Sequence, residues 1–262
     1  MPRVFSIVPA IGAAILIALG VGLAVKGEIP VPSTVPAASA SPAHLSKLAQ
    51  VILTENNMQS YWVGGVTSWS VAAKGVTVHK ISAAQAEAEA DELQATVPST
   101  VPMSIPLALL SSESVFDPQC QNGNFEGSNP TKDPWGFDDG VAQLKLKYIE
   151  IGGKTGTAAF SSAAAAQAFA FDVTKAIPYF FGIYESHLAE ADSWIAGDAP
   201  STIDPRLTNR YVLAALAYKQ GDTGAYSIFK SGQWPSELNN FENLEMFFAQ
   251  QLGTTSVFAA YK

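Results

Sequence analysis

Cysteine, charge and histidine are all scarce in this chain, and each shortage closes off a class of function. The single cysteine, Cys120, cannot form an internal disulfide, so the fold must rest on packing. As a catalytic nucleophile it would need a histidine partner, and His44, His79 and His187 carry no local signature of one. The three histidines are scattered, and no His/Asp/Glu cluster stands at ligand spacing along the chain. No metal and no cofactor is therefore expected. Charged residues make up only 15% of the chain, the net charge is -8, and there is no basic stripe. That balance argues against nucleic acid as a partner. No internal period repeats, which excludes a solenoid.

What the chain has is apolar mass. At 262 residues and 48% hydrophobic it can bury one substantial core with appendages. The run "VFSIVPAIGAAILIALGVGLAV", residues 4–25, holds no charge. As a helix rising about 1.5 Å per residue it would reach about 30 Å, the thickness of a bilayer's hydrocarbon core. Residues 1–26 are read as a single-pass transmembrane anchor. A cleaved signal peptide competes, with "ASA" at 38–40 as its processing site, but the run is longer than such signals usually are. A buried core helix competes too, though the run lacks caps. Arg3 points weakly to an inside N-terminus, and Lys26 blurs that rule.

Residues 27–45 open with "GEIPVPSTVPAASASP", the composition of an extended tether. Residues 46–97 form an N-terminal region without an assigned role, and residues 98–262 the main domain. A helix is expected through "HLSKLAQVILTE", whereas "SYWVGGVTSWSVAAKGVTVHKI" fits either short strands or a Trp-rich loop. "SAAQAEAEADELQATV" pairs Ser82 with Gln85 in a capping-box pattern and predicts a helix ended by Pro98 and Pro102. Further helices are expected at 103–113, 141–150, 158–176, 178–196, 206–220, 222–231 and 240–251. The alanine run "AAFSSAAAAQAFAF" is read as a close-packed core helix. The fold class is mainly α.

Three short stretches carry the chemistry. "LLSSESVFDPQC", residues 109–120, sets Glu113 against an apolar run, where a carboxylate ordinarily only caps or decorates a helix end. "GFDDGVAQL", residues 136–144, offers Gly140 for a sharp turn or close backbone approach, and the Gln143 amide to donate and accept at once. "LAALAYKQGD", residues 213–222, reads as a helix closing on Tyr218, with Gly221 as its cap. Each is weak alone.

Their order, E-S-x-F-x-P then G-x-x-Q then A-Y-x-x-G, resembles the lysozyme-like lytic transglycosylases of the soluble lytic transglycosylase family, over roughly residues 100 to 235. The resemblance implies a helical domain whose groove binds the peptidoglycan glycan strand. It also implies a single essential Glu that protonates the glycosidic oxygen between N-acetylmuramic acid and N-acetylglucosamine. The same Glu then takes a proton from the muramoyl 6-hydroxyl to close a 1,6-anhydro ring. That residue matches Glu113; Ser114, Gln143 and Tyr218 match substrate-site positions. A general acid at neutral pH must hold its proton, which an apolar, partly closed cleft favours, and "SIPLALL" is the expected wall.

The chain also departs from the family pattern. Lys219 stands where Asn is usual, and Asn122 replaces a common serine. Residues 123–135 lengthen the link between the first two motifs, and the C-terminal tyrosine motif has no clear match, with "MFFAQQL" in about its place. The first two motifs also look like animal-type lysozyme, whose second carboxylate matches Asp138; Asp138 and Asp139 read equally as turn residues before Gly140. A third reading is a non-catalytic, membrane-anchored protein that binds the wall on the same scaffold. The expected location is a membrane with the domain on its wall-facing side, a virion membrane included.

Overall fold

The computed structural model describes residues 45–58, 79–122 and 134–261. The expected anchor, all of the tether but Leu45, and the Trp-rich segment up to residue 78 lie outside the described residues, as does nearly all of the lengthened 123–135 link. No helix among the described residues is long and apolar enough to cross a membrane. All of the described residues belong to one compact unit.

The described chain is mainly helical. In order it forms α1 (Lys47–Asn57), α2 (Ala83–Thr96) and α3 (Ser104–Ser114), then α4 (Ala163–Phe171), α5 (Val173–Gly197), α6 (Arg210–Ser231) and α7 (Asn239–Leu252). Between α3 and α4 lie an antiparallel three-stranded sheet of two-residue strands, β1 (Gln121–Asn122), β2 (Asp138–Asp139) and β3 (Leu144–Lys145), and a hairpin of β4 (Glu150–Ile151) with β5 (Lys154–Thr155).

Local capping fixes most helix starts. Ser82 Oγ accepts from the Gln85 amide at 3.2 Å while Gln85 Oε1 accepts from the Ser82 amide at 2.9 Å, the reciprocal pair the sequence announces. Ser46, Ser162, Asp172 and Asn209 cap α1, α4, α5 and α6 through side-chain oxygens. The Asp172 cap moves an expected boundary. The sequence reading broke its helices near Pro178, whereas the break falls at Asp172 and Pro178 lies inside α5. Pro178 is past the first turn, so α5 forgoes the hydrogen bond that an amide there would make to the Thr174 carbonyl.

Two other expectations are corrected. Residues 141–150 form β3, a 3₁₀ turn (Leu146–Tyr148) and the start of β4 instead of a helix. Gln143, at φ 50°, and the β2–β3 pairing turn the chain there. The alanine-rich helix α4 buries only Ala166 and Ala170, a narrow stripe, so it borders the core without lying within it.

The centre of the unit is α3. Its sequence is apolar on all sides, and Ile105, Leu107, Ala108, Leu109 and Leu110 have no exposed surface. It packs against α7 and α6, α5 lies along α6, and α2 bridges α1 to α5. The segment 46–97, which the sequence left without a role, supplies α1 and α2 to this core. Glu245 of α7, fully buried, accepts from Ser104 Oγ at 2.6 Å, from Ser256 Oγ, and from the Val257 amide at 3.2 Å. The first residue of α3 is thereby tied to the C-terminal tail.

Candidate functional site

Glu113 is the next-to-last residue of α3, and the chain reverses immediately after it. Val115 and Phe116 are both left-handed, at φ 54° and 61°, a costly pair for residues bearing a Cβ. Burial and hydrogen bonds hold them there. Phe116 has no exposed surface and meets Phe248 of α7 edge-on at 5.9 Å. The buried Asn56 of α1 donates to Val115 O at 2.9 Å and to His79 O at 3.1 Å, and accepts from the Ile81 amide at 3.0 Å. Asp117 accepts from the His79 and Gln119 amides. Glu55 accepts from Ser111 Oγ at 2.9 Å. Segments 47–58 and 79–81 thus brace the turn that presents Glu113. Nothing in the local sequence pattern of Asn56, Glu55 or Asp117 marked them for this, because all three act through long-range contacts.

Ser114 is also a brace. It is fully buried, and its hydroxyl donates to Val141 O at 2.7 Å. The resemblance implied a substrate contact at this position; here the hydroxyl joins α3 to the loop of the second motif. In that loop Gly140, at φ 80°, lies so close to α4 that a Cβ there would sit 1.9 Å from Ala170 O. Both uses expected of this glycine, turn and close approach, occur at once. Gln143 donates through Nε2 to Cys120 O at 3.1 Å and Gly140 O at 2.9 Å. Its carbonyl oxygen is the amide atom left to meet a ligand.

The third motif closes the arrangement. Tyr218 donates to Ala142 O at 2.8 Å and stacks edge-on against Phe180 at 5.0 Å. Burial, then the charges of Glu113 and Asp138, push its hydroxyl well above the usual range. Lys219, next in the chain, donates to Glu113 Oε1 at 2.8 Å and to Ser112 Oγ at 2.7 Å. The side chains of this pair are only 24% and 18% exposed. A carboxylate near the C-terminal end of a helix faces the negative end of the helix dipole, and the ammonium offsets that repulsion. At Gly221, φ 71° and ψ 161°, α6 breaks, so the glycine separates two helical segments as the sequence indicated.

Beside the motifs lies a cleft of about 180 Å³ lined by Gln143, Leu144, Lys145, Tyr148, Tyr179 and Tyr218, among others. Glu113 does not line it; its charge acts on the hydroxyl of Tyr218, which does. Asp138 enters through β2, where it pairs in register with Asn122 on one side and Lys145 on the other. Its neighbour Asp139 is fully buried and accepts from Gln167 at 3.1 Å. Cys120 is outside any disulfide and has no exposed surface, so it is closed to any substrate.

One cluster lies outside the three motifs. His187 and Glu190 of α5 meet Asp222 of α6, with one ligand atom from each all within 4.8 Å of one another. The sequence reading found no ligand spacing; the signal that could have found it is the i, i+3 placement of His187 and Glu190 on one helix. The third member, Asp222, is brought in by the packing of α6 on α5. Comparison of the chain with protein-family models, with curated proteins and with solved structures finds no match.

Proposed function

We propose that this chain is a peptidoglycan lytic transglycosylase in which Glu113 is the acid and base, working on a lysozyme-like scaffold. The observation that carries the reading is the convergence of three motifs far apart in sequence: Glu113 pairs with Lys219, Tyr218 bonds the loop of Gln143, and Ser114 bonds the same loop. A cleft with three tyrosines, Tyr148, Tyr179 and Tyr218, suits sugar rings, which offer apolar faces and hydroxyl edges.

In this reading the bound strand displaces Lys219 from Glu113, and the carboxyl donates its proton to the glycosidic oxygen as the C1–O bond breaks. Glu113 then accepts the proton of the muramoyl 6-hydroxyl while O6 bonds C1. No water is consumed, so products end in 1,6-anhydro rings and weigh one water less than hydrolytic products. The anchor reading of residues 4–25 belongs to the same proposal and would set the domain against the wall.

Digestion of purified peptidoglycan followed by mass spectrometry tests it. Anhydro-muropeptides are expected, and Glu113→Gln should lower turnover by about 10⁴-fold, the upper range for loss of a general acid, with the circular dichroism spectrum unchanged. An active Glu113→Gln variant would overturn the mechanism. The Lys219–Glu113 pair also favours a second reading, a non-catalytic glycan binder, because a paired carboxylate is a poor proton donor. Pelleting with peptidoglycan without release of soluble fragments would establish that reading instead.

A further inference from the structure

We propose that His187, Glu190 and Asp222 form a divalent-cation site, most apt for Zn²⁺, that fastens α6 to α5 at its break. His187 and Glu190 lie one helical turn apart on one face of α5, and Asp222 directly follows the non-helical Gly221. Nδ1 of His187 is 2.8 Å from Asp222 Oδ1 and 3.6 Å from Glu190 Oε2. Ligands around a tetrahedral zinc ion stand about 3.4 Å apart, given metal–ligand distances near 2.1 Å. The set needs only small side-chain adjustments to reach that spacing.

A second observation points to a ligand. His187 Nδ1 and Glu190 Oε2 are shut off from solvent and make no well-aligned hydrogen bond, although Nδ1 pairs with Asp222 and the rest of the Glu190 side chain is 45% exposed. Orphaned polar atoms of this kind cost free energy, and a cation between them satisfies the nitrogen and the oxygen together.

One imidazole nitrogen with two carboxylates is a borderline donor set. It fits Zn²⁺ or a similar first-row ion better than Ca²⁺ or Mg²⁺, which take oxygen ligands. Three protein ligands would leave a fourth position for water. The inference does not depend on the proposed catalysis, although Asp222 closely follows Tyr218 and Lys219, so the same clamp would fix the register in which α6 presents them.

The test uses the full chain, stripped with a chelator and titrated with Zn²⁺ by calorimetry and by thermal melting. One ion per chain and a rise in melting temperature are expected. Asp222→Asn, Glu190→Gln and His187→Gln should each weaken binding at least tenfold and abolish the rise, while Glu185→Gln on the same helix should change neither. Asp222→Asn and Glu190→Gln keep side-chain shape, and circular dichroism of each variant reports folding. Absence of a Zn²⁺-dependent rise, zinc binding indifferent to all three substitutions, or a preference for Ca²⁺ would each overturn the proposal.

Discussion

Burial governs Asp139 more than any partner does. It pushes the carboxyl up to about 7, against hydrogen bonds from Gln167 and Gln121 that lower it. In an unfolded chain the same group ionises near 4. Between those values the folded protein holds a proton that the unfolded chain has released, so the contribution is fullest below about pH 4 and is lost as pH rises to about 7. Asp139→Asn should remove that slope and stabilise the protein at pH 8, relative to wild type, by on the order of 2–4 kcal/mol. Urea unfolding at pH 5 and pH 8 measures it; equal slopes in both proteins would mean that Asp139 titrates normally. Lys219 and Glu113 allow a different measurement. A double-mutant cycle of Glu113→Gln with Lys219→Met should give a coupling of about 1 kcal/mol or more, because the pair is largely shielded from water. Additive effects would show that the pair does not form in solution.

Among the elements, the loop of Gly140 is the least tolerant of change. Alanine there would place a Cβ against Ala170 O and hold φ at 80°, so the loop must move away from α4. Gly140→Ala should cost about 3 kcal/mol or more, and under the proposed function it should also weaken glycan binding, since Gln143 and Tyr218 both bond this loop. A variant as stable as wild type would show that the close approach is absent. The same loop shows where sequence reasoning failed. Capping residues such as Ser82 act within one turn, so α2 was legible, and apolar crowding marked α3. The helix expected at 141–150 rested on composition alone, and the strand pairing that prevents one is a contact with distant residues. The three motifs were visible because order survives in sequence. Asn56, Asp117 and the Asp222 contact were not, because each depends on which helices pack together.

At the scale of the whole molecule, residues 4–25 and the described unit make separate claims. If the uncharged run is an anchor, carbonate extraction should leave the full chain in the membrane fraction and release a version beginning at Ala43. Equal release of both would end the anchor reading. Within the described unit, α3 is held at both ends by distant parts of the chain: Asn56 and Glu55 near its C-terminal end, and Glu245 with the tail at Ser104. That second attachment has a consequence in time. Ser256 and Val257 are synthesised long after Glu113, so the first residue of the helix that bears it stays without its full attachment until they emerge. A nascent chain halted before Leu252 should leave α3 open to protease, whereas one extended past Val257 should protect it.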